Sequence, residues 1–169
     1  MRANQQLIRC ATAKDLAQVF EIEHEAFSPY GTAEQAAIVA ARQTVFPDGF
    51  LVVEQDSQIV GYGSSEKWLH DRDPMMEEPP QESHDSEGTI LCITAIAVRV
   101  GYRGQGFAAA ILDELINVAN RHHCWKIKLE TTHAANFYMH RGFELTKHKE
   151  YGGVTFAVLE MELTKSVET

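Results

Sequence analysis

Residues 93–115, ITAIAVRVGYRGQGFAAAILDEL, constrain this chain more than any other stretch. An apolar, β-branched run ends at Val98 and passes through Gly101, Arg103, Gly104 and Gly106. It turns at once into a helical repeat over 104–121, with Ala108, Ile111, Leu112, Leu115 and Ala119 on one face. A strand-to-helix turn needs about one glycine. Three glycines and a permanent cation point instead to a backbone that approaches something negative. The start of a helix presents unpaired N–H groups and a partial positive charge, and glycine lets a ligand come close with no Cβ in the way. The stretch therefore predicts a pyrophosphate site over residues 103–108. A purely structural turn leaves Arg103 and the extra glycine unexplained.

The flanking segments predict what surrounds that joint. QLIRCAT (5–11) reads as a strand, and Thr12 with Asp15 opens a helix whose stripe is Leu16, Val19, Phe20, Glu23 and Phe27. SPYG ends it, and Thr32 with Gln35 reads as a second capping box before another helix. Pro47-Asp48-Gly49 is a turn, and FLVVEQDSQIVGYGSSEKW reads as two strands around a polar turn at Gln55–Gln58. Residues 68–88 hold three prolines and many acids, so they read as a long loop that is either functional or mobile. A strand (89–98), the helix, a strand (125–131), a short helix ending at Gly142 and a closing hairpin with Gly152-Gly153 complete the chain. The fold class predicted is a mixed α/β single domain over 1–169.

Composition narrows the function. With 169 residues and a net charge of −9, the chain is poorly suited to nucleic acid or an anionic membrane. Cys10, Cys92 and Cys124 are widely spaced and odd in number, so they read as free thiols in a reducing compartment. No apolar leader opens the sequence and no run reaches the length of a membrane helix, which predicts a cytoplasmic protein.

Two kinds of phosphate site compete at the glycine joint. Gly104-Gln105-Gly106-Phe107-Ala108-Ala109 fits the weak dinucleotide pattern G-x-G-x-x-A, with Glu130 further on as its acid. Against NAD stand the five residues between Val98 and Gly104, the hairpin downstream, and Arg103, which has no place in that fingerprint. Arg103-Gly104-Gln105-Gly106-Phe107-Ala108 instead resembles the R/Q-x-x-G-x-G/A loop of the GNAT family of N-acetyltransferases. ANFYMHRGF (135–143), with Tyr138 before Gly142-Phe143, resembles that family's later motif. IRCATAKDLAQVFEIEHEAF and VEQDSQIVGY resemble its opening strand and helix and its first hairpin.

The resemblance implies a mostly antiparallel central sheet flanked by helices. It implies acetyl-coenzyme A as cosubstrate, with pyrophosphate held at Arg103, Gly104, Gln105, Gly106, Phe107 and Ala108, and pantetheine paired with the backbone of Ile96 and Val98. Direct attack by a neutral amine is implied, with Tyr138 as general acid toward the departing thiolate. The strand position where many relatives carry a Glu or His is Cys92 here, and Thr94 is the next residue expected on that face. The base expected is therefore ordered water with backbone carbonyls, with His84, Glu87, Glu25 and His24 as outside candidates. The family's usual Asn position holds Thr131, and Asn136 does not sit at it. A binding module that holds acetyl-coenzyme A without turnover is the alternative.

The acceptor is expected between the first two helices and the loop before the central strand, beside Phe27, Pro29 and Tyr30. Residues 66–88 carry eight acids against Lys67 and Arg72, a field that would draw in a cationic amine. FEIEHEAF resembles the first helix of both arylalkylamine and protein N-terminal acetyltransferases, so small amines and peptide α-amines both stand. His122-His123 reads as a solvated helix end, and His133 and His140 lack the further ligands of a metal site. A homodimer is compatible with all of this.

Overall fold

The computed structural model describes residues 6–164. A seven-stranded sheet runs in the order β1-β2-β3-β4-β5-β7-β6. The strands are β1 (Gln6–Cys10), β2 (Leu51–Gln55), β3 (Gln58–Trp68), β4 (Ile90–Val98), β5 (Lys126–Thr131), β6 (Glu144–Tyr151) and β7 (Val154–Glu162). Only β4 and β5 run parallel; every other neighbouring pair is antiparallel. The helices are α1 (Leu16–Phe27), α2 (Ala36–Val45), α3 (Pro80–Ser83), α4 (Phe107–Arg121) and α5 (Ala135–Met139). The first residue of the expected opening strand, Gln5, lies outside the described residues.

The elements form for local reasons. Asp56 and Ser57 take φ of 49° and 66°, so the β2–β3 hairpin closes with two left-handed residues whose twist suits the strands. On one face of the sheet α4 buries Ile111, Leu112, Leu115, Val118 and Ala119 against Leu51, Val53, Val60 and Ile93. Full burial of each Leu or Ile is worth about 1.5–3 kcal/mol. The helix lies close because Gly63 of β3 has no side chain: a Cβ there would sit 2.4 Å from Ile111 Cγ2. On the other face Val19 and Ile22 of α1 pack on Phe50, Val52, Tyr62, Ala95 and Ala97.

Several expectations change. The T-x-x-D pattern forms, with the Thr12 N–H donating to Asp15 Oδ2 at 2.8 Å, but it caps a 3-10 turn (Ala13–Asp15) ahead of α1. The Thr32–Gln35 box does not form. Thr32 Oγ1 donates to the Phe27 carbonyl, and α2 begins only at Ala36. The intervening backbone is committed elsewhere, since the Glu34 N–H donates to Glu23 Oε2 at 3.0 Å. β3 ends at Trp68 as the hairpin pattern predicts, but within 68–88 α3 adds one helical turn. His122 is more than a solvated end: its Nε2 lies 3.1 Å from Asp48 and its Nδ1 3.3 Å from Lys67 Nζ.

Candidate active site

The site begins with a break in the sheet. β4 and β5 are paired only from Ile90–Cys92 to Lys126–Lys128, although both strands continue. The cause lies one strand away. Ser64 pairs with Ala95 and Ser65 with Ile93, so Thr94 is an extra residue on β4, and such a bulge bends its strand. It also reverses the alternation of faces. Cys92 lies opposite Glu66 on the α1/α2 face, and after the bulge Ala95 and Ala97 take that face. Thr94 keeps the face of Cys92, as expected, with its hydroxyl paired to Ser64 Oγ at 2.7 Å, and the shift shows only from Ala95 onward.

Beyond the break the β4 backbone faces open space. The Arg99 N–H donates to Val60 on β3, so by the two-residue alternation of a ladder Ile96 and Val98 turn their polar groups toward the gap. The Val98 carbonyl accepts Arg103 Nε at 3.1 Å, which folds the loop back over the strand end. Gly104 and Gly106 take φ of 77° and 87°, a region where a side chain is strained. Gly101 does not; it sits in a 3-10 turn (Val100–Tyr102). Gly106 is the N-cap of α4 and offers no side chain to the helix amides. The first helical bond is Ala110 N–H to the Gly106 carbonyl, which leaves the amides before it open to a ligand. Arg103, Gly104, Gly106, Phe107 and Ala108 line the cavity, although the Phe107 ring is mostly buried in the core, and Gln105 is exposed and lies outside the lining.

The cavity, of about 910 Å³, runs from that helix start to Met75 and Met76. Tyr138 of α5 lines it; its ring packs edge-on against Phe137 and Phe143. Tyr138 is 6% exposed, and burial pushes its phenol above the usual range. Across the mouth Tyr30 stacks on His133, with ring centroids 3.9 Å apart and planes 3° from parallel. Burial, and then Arg103, hold the His133 imidazole below its ordinary value. Thr131 also lines the cavity, but its hydroxyl accepts the Ala134 N–H at 3.1 Å and so ties the turn into α5.

None of the four outside candidates for the base lines the cavity. His84 stacks on Phe46 and accepts the Lys67 N–H; Glu25 accepts the Val100 N–H. Glu87 and His24 are exposed. Cys92 does line the cavity, and burial holds its thiol well above the usual range.

Five glutamates line the cavity, Glu23, Glu34, Glu66, Glu77 and Glu130, none of them among the expected bases. Glu23, 2% exposed, accepts the Tyr62 hydroxyl and the Glu34 N–H, and burial pushes its carboxyl up to about 7. A detectable signal was its place in the apolar stripe of α1, where a carboxylate has no packing reason to be. Glu66 accepts Trp68 Nε1 at 3.0 Å and Ser83 Oγ at 2.6 Å, beside Arg42 at 3.4 Å. Arg42 also grips both oxygens of Glu34. Glu130 lies 2.6 Å from Lys149 Nζ, and burial still raises its carboxyl.

Residues 16–143 match the sequence profile of the acetyltransferase (GNAT) family. The chain belongs to that family. It is an acyltransferase that depends on acetyl-coenzyme A. It is also 30% identical over 158 residues to the uncharacterised N-acetyltransferase MJ1530 of Methanocaldococcus jannaschii, covering 86% of this chain and 85% of that protein. The GNAT fold is equally plain in solved structures. The loading GNATL domain of CurA from Lyngbya majuscula superposes with a TM-score of 0.83 at 13% identity, over 94% of this chain and 98% of that one. Naa50 of Arabidopsis thaliana, in complex with the bisubstrate analogue CoA-Ac-MVNAL, gives 0.71 at 15% identity, over 94% and 99%.

Proposed function

We propose that this GNAT protein moves the acetyl group of acetyl-coenzyme A onto a primary amine. The observation that supports this most is the join of the open β4 edge to an uncapped α4 N-terminus in one cavity. A long polar thioester needs both: amides and Arg103 for its pyrophosphate, and strand-like pairing for its pantetheine arm. On this reading Arg103, Gly104, Gly106, Phe107 and Ala108 hold the pyrophosphate, chiefly through backbone N–H groups. Gln105 joins them through its amide, since its side chain points outside the cavity lining. Ile96 and Val98 pair with the pantetheine, Val98 through its N–H because its carbonyl is already bonded to Arg103.

The chemistry follows from the groups around the thioester. The amine nitrogen attacks the carbonyl carbon, the C–S bond breaks, and the thiolate takes the proton of the Tyr138 phenol. A phenol held protonated by burial still carries its proton when the thiolate forms beside it. The adduct's nitrogen loses its extra proton to water in the cavity as the amide forms, and solvent returns a proton to the tyrosine. The amine gives up its own proton beforehand to water in the cavity, since Cys92 resists ionisation.

The test is release of free thiol from acetyl-coenzyme A in the presence of an amine panel. Tyr138→Phe should lower kcat about 10²-fold or more, within the range of general acid catalysis, with acetyl-coenzyme A affinity unchanged. Tight binding of acetyl-coenzyme A with no amine-dependent thiol release would favour a binding module instead. Stabilisation by NAD equal to that by acetyl-coenzyme A would count against both.

A further inference from the structure

The acceptor end of the cavity is bounded by residues 69–79, a segment with no regular structure that is nevertheless tied down along its length. Asp71 lies between Lys126 and Lys128 of β5, 2.8 Å from each. Asp73 pairs with Lys147 of β6 at 2.6 Å. Arg72 holds both oxygens of Glu78, at 2.6 and 2.8 Å, and its guanidinium carbon lies over the Trp68 ring, 3.9 Å from its centre. Lys149 bridges the Pro74 carbonyl and Glu130. Lys126 and Lys128 are only 7% and 8% exposed, so the Asp71 contacts are better shielded on the lysine side than ordinary surface pairs, whereas the Asp73–Lys147 pair is exposed. The acids of this segment are thus mostly neutralised within the fold and do little to steer an amine from solution. Their work is to hold the segment in place.

Resting on the acetyltransferase reading above, we propose that this segment is a fixed wall of the acceptor site. The acceptor is then a compact, cationic primary amine with an apolar body, not the α-amine of an extended polypeptide. The first reason is space. An extended chain spans about 3.3–3.6 Å per residue, so a bound peptide must run out of the cavity along the sheet. Pro74, Met75, Met76 and Glu77 of the tied segment close one side of the cavity against such a path. The second reason is chemistry. The segment contributes Met75 and Met76 to a lining that also includes Phe27, Trp68 and Phe156. Among the carboxylates there, Arg42 offsets Glu34 and Glu66 and Lys149 pairs with Glu130, while Glu77, on the segment itself, and Glu23 have no ion pair among the described residues. An apolar surface beside an uncompensated carboxylate suits an alkyl or aryl body that carries an ammonium group.

The experiment compares kcat/KM for phenylethylamine and hexylamine with that for pentapeptides bearing a free α-amine, by thiol release. Acetyl-coenzyme A affinity is measured in parallel by calorimetry. The amines should exceed the peptides by about 10²-fold, the scale on which a shaped pocket discriminates. Asp71→Asn combined with Asp73→Asn should narrow that ratio about tenfold, as several ion pairs are lost together. Acetyl-coenzyme A affinity should stay unchanged. Peptides equal to or better than the amines in the unmodified protein would overturn the proposal, and that comparison stands even where the double variant fails to fold. A ratio that survives the double substitution would overturn it as well, as would intact acetyl-coenzyme A binding with neither amine acetylated. Loss of acetyl-coenzyme A binding in the unmodified protein would overturn the cosubstrate reading first and this one with it.

Discussion

Glu23→Gln should make the protein more stable at neutral pH, and by an amount that depends on pH. The carboxyl is buried against Tyr62 and lifted from an ordinary 4.5 to about 7. A raised carboxyl pKa means that the folded state holds its proton more tightly than the unfolded chain does. Below about 4.5 both states are protonated and the group contributes no pH dependence. As pH rises from 4.5 toward 7 the unfolded chain ionises first, and stability falls; above 7 the penalty is constant. At about 1.36 kcal/mol for each pH unit of difference, the full penalty is about 3 kcal/mol. Glutamine removes it while keeping the geometry: its carbonyl can accept the Glu34 N–H and its amide can donate to the Tyr62 hydroxyl. Urea unfolding of both proteins at intervals from pH 4 to pH 8 measures the effect. The quantity to read is the change in their difference across that range, which cancels every other titrating group and any constant cost of the substitution. A difference that is flat with pH, or one that moves in favour of the unmodified protein as pH rises, would refute the reasoning. Glu23 would then be an ordinary carboxylate, its burial offset by its hydrogen bonds.

Gly106→Asp should abolish acetyl-coenzyme A binding, because it places a carboxylate and a strained φ at the uncapped start of α4; retained binding seen by calorimetry, with a normal circular-dichroism spectrum, would show that the phosphates lie elsewhere. Cys92→Ala should leave kcat/KM within a few-fold of the unmodified protein, and the pH profile should rise only with the amine's own pKa. A separate inflection that disappears in Cys92→Ala would instead identify the thiol as the base, despite the burial that disfavours its ionisation.

What could be read from the sequence is what depends on neighbours along the chain. The turn over 103–108 is contiguous, so its glycines, its cation and the helix after it appear together in one short stretch. The same holds for Tyr138 ahead of Gly142-Phe143, and for the two-residue turn at Asp56-Ser57. The apolar periods of α1 and α4 place those helices because burial acts on one face at a time. The GNAT family and its fold were legible on those grounds.

The acceptor end was decided by tertiary structure alone. The bulge at Thr94 exists only because β3 and β4 pair out of step, and that one extra residue puts Ala95 and Ala97, in place of Ile96 and Val98, on the face that Cys92 shares. Glu23 reads as one position of a helical stripe until Tyr62, 39 residues away, closes over it. The 69–79 segment reads as a charged loop until lysines 55 and 57 residues further along the chain reach Asp71. The physical reason is common to all three. A carboxylate's protonation, and whether a loop is held or free, depend on charge and burial supplied from distant parts of the chain, and those arrive only when the sheet assembles.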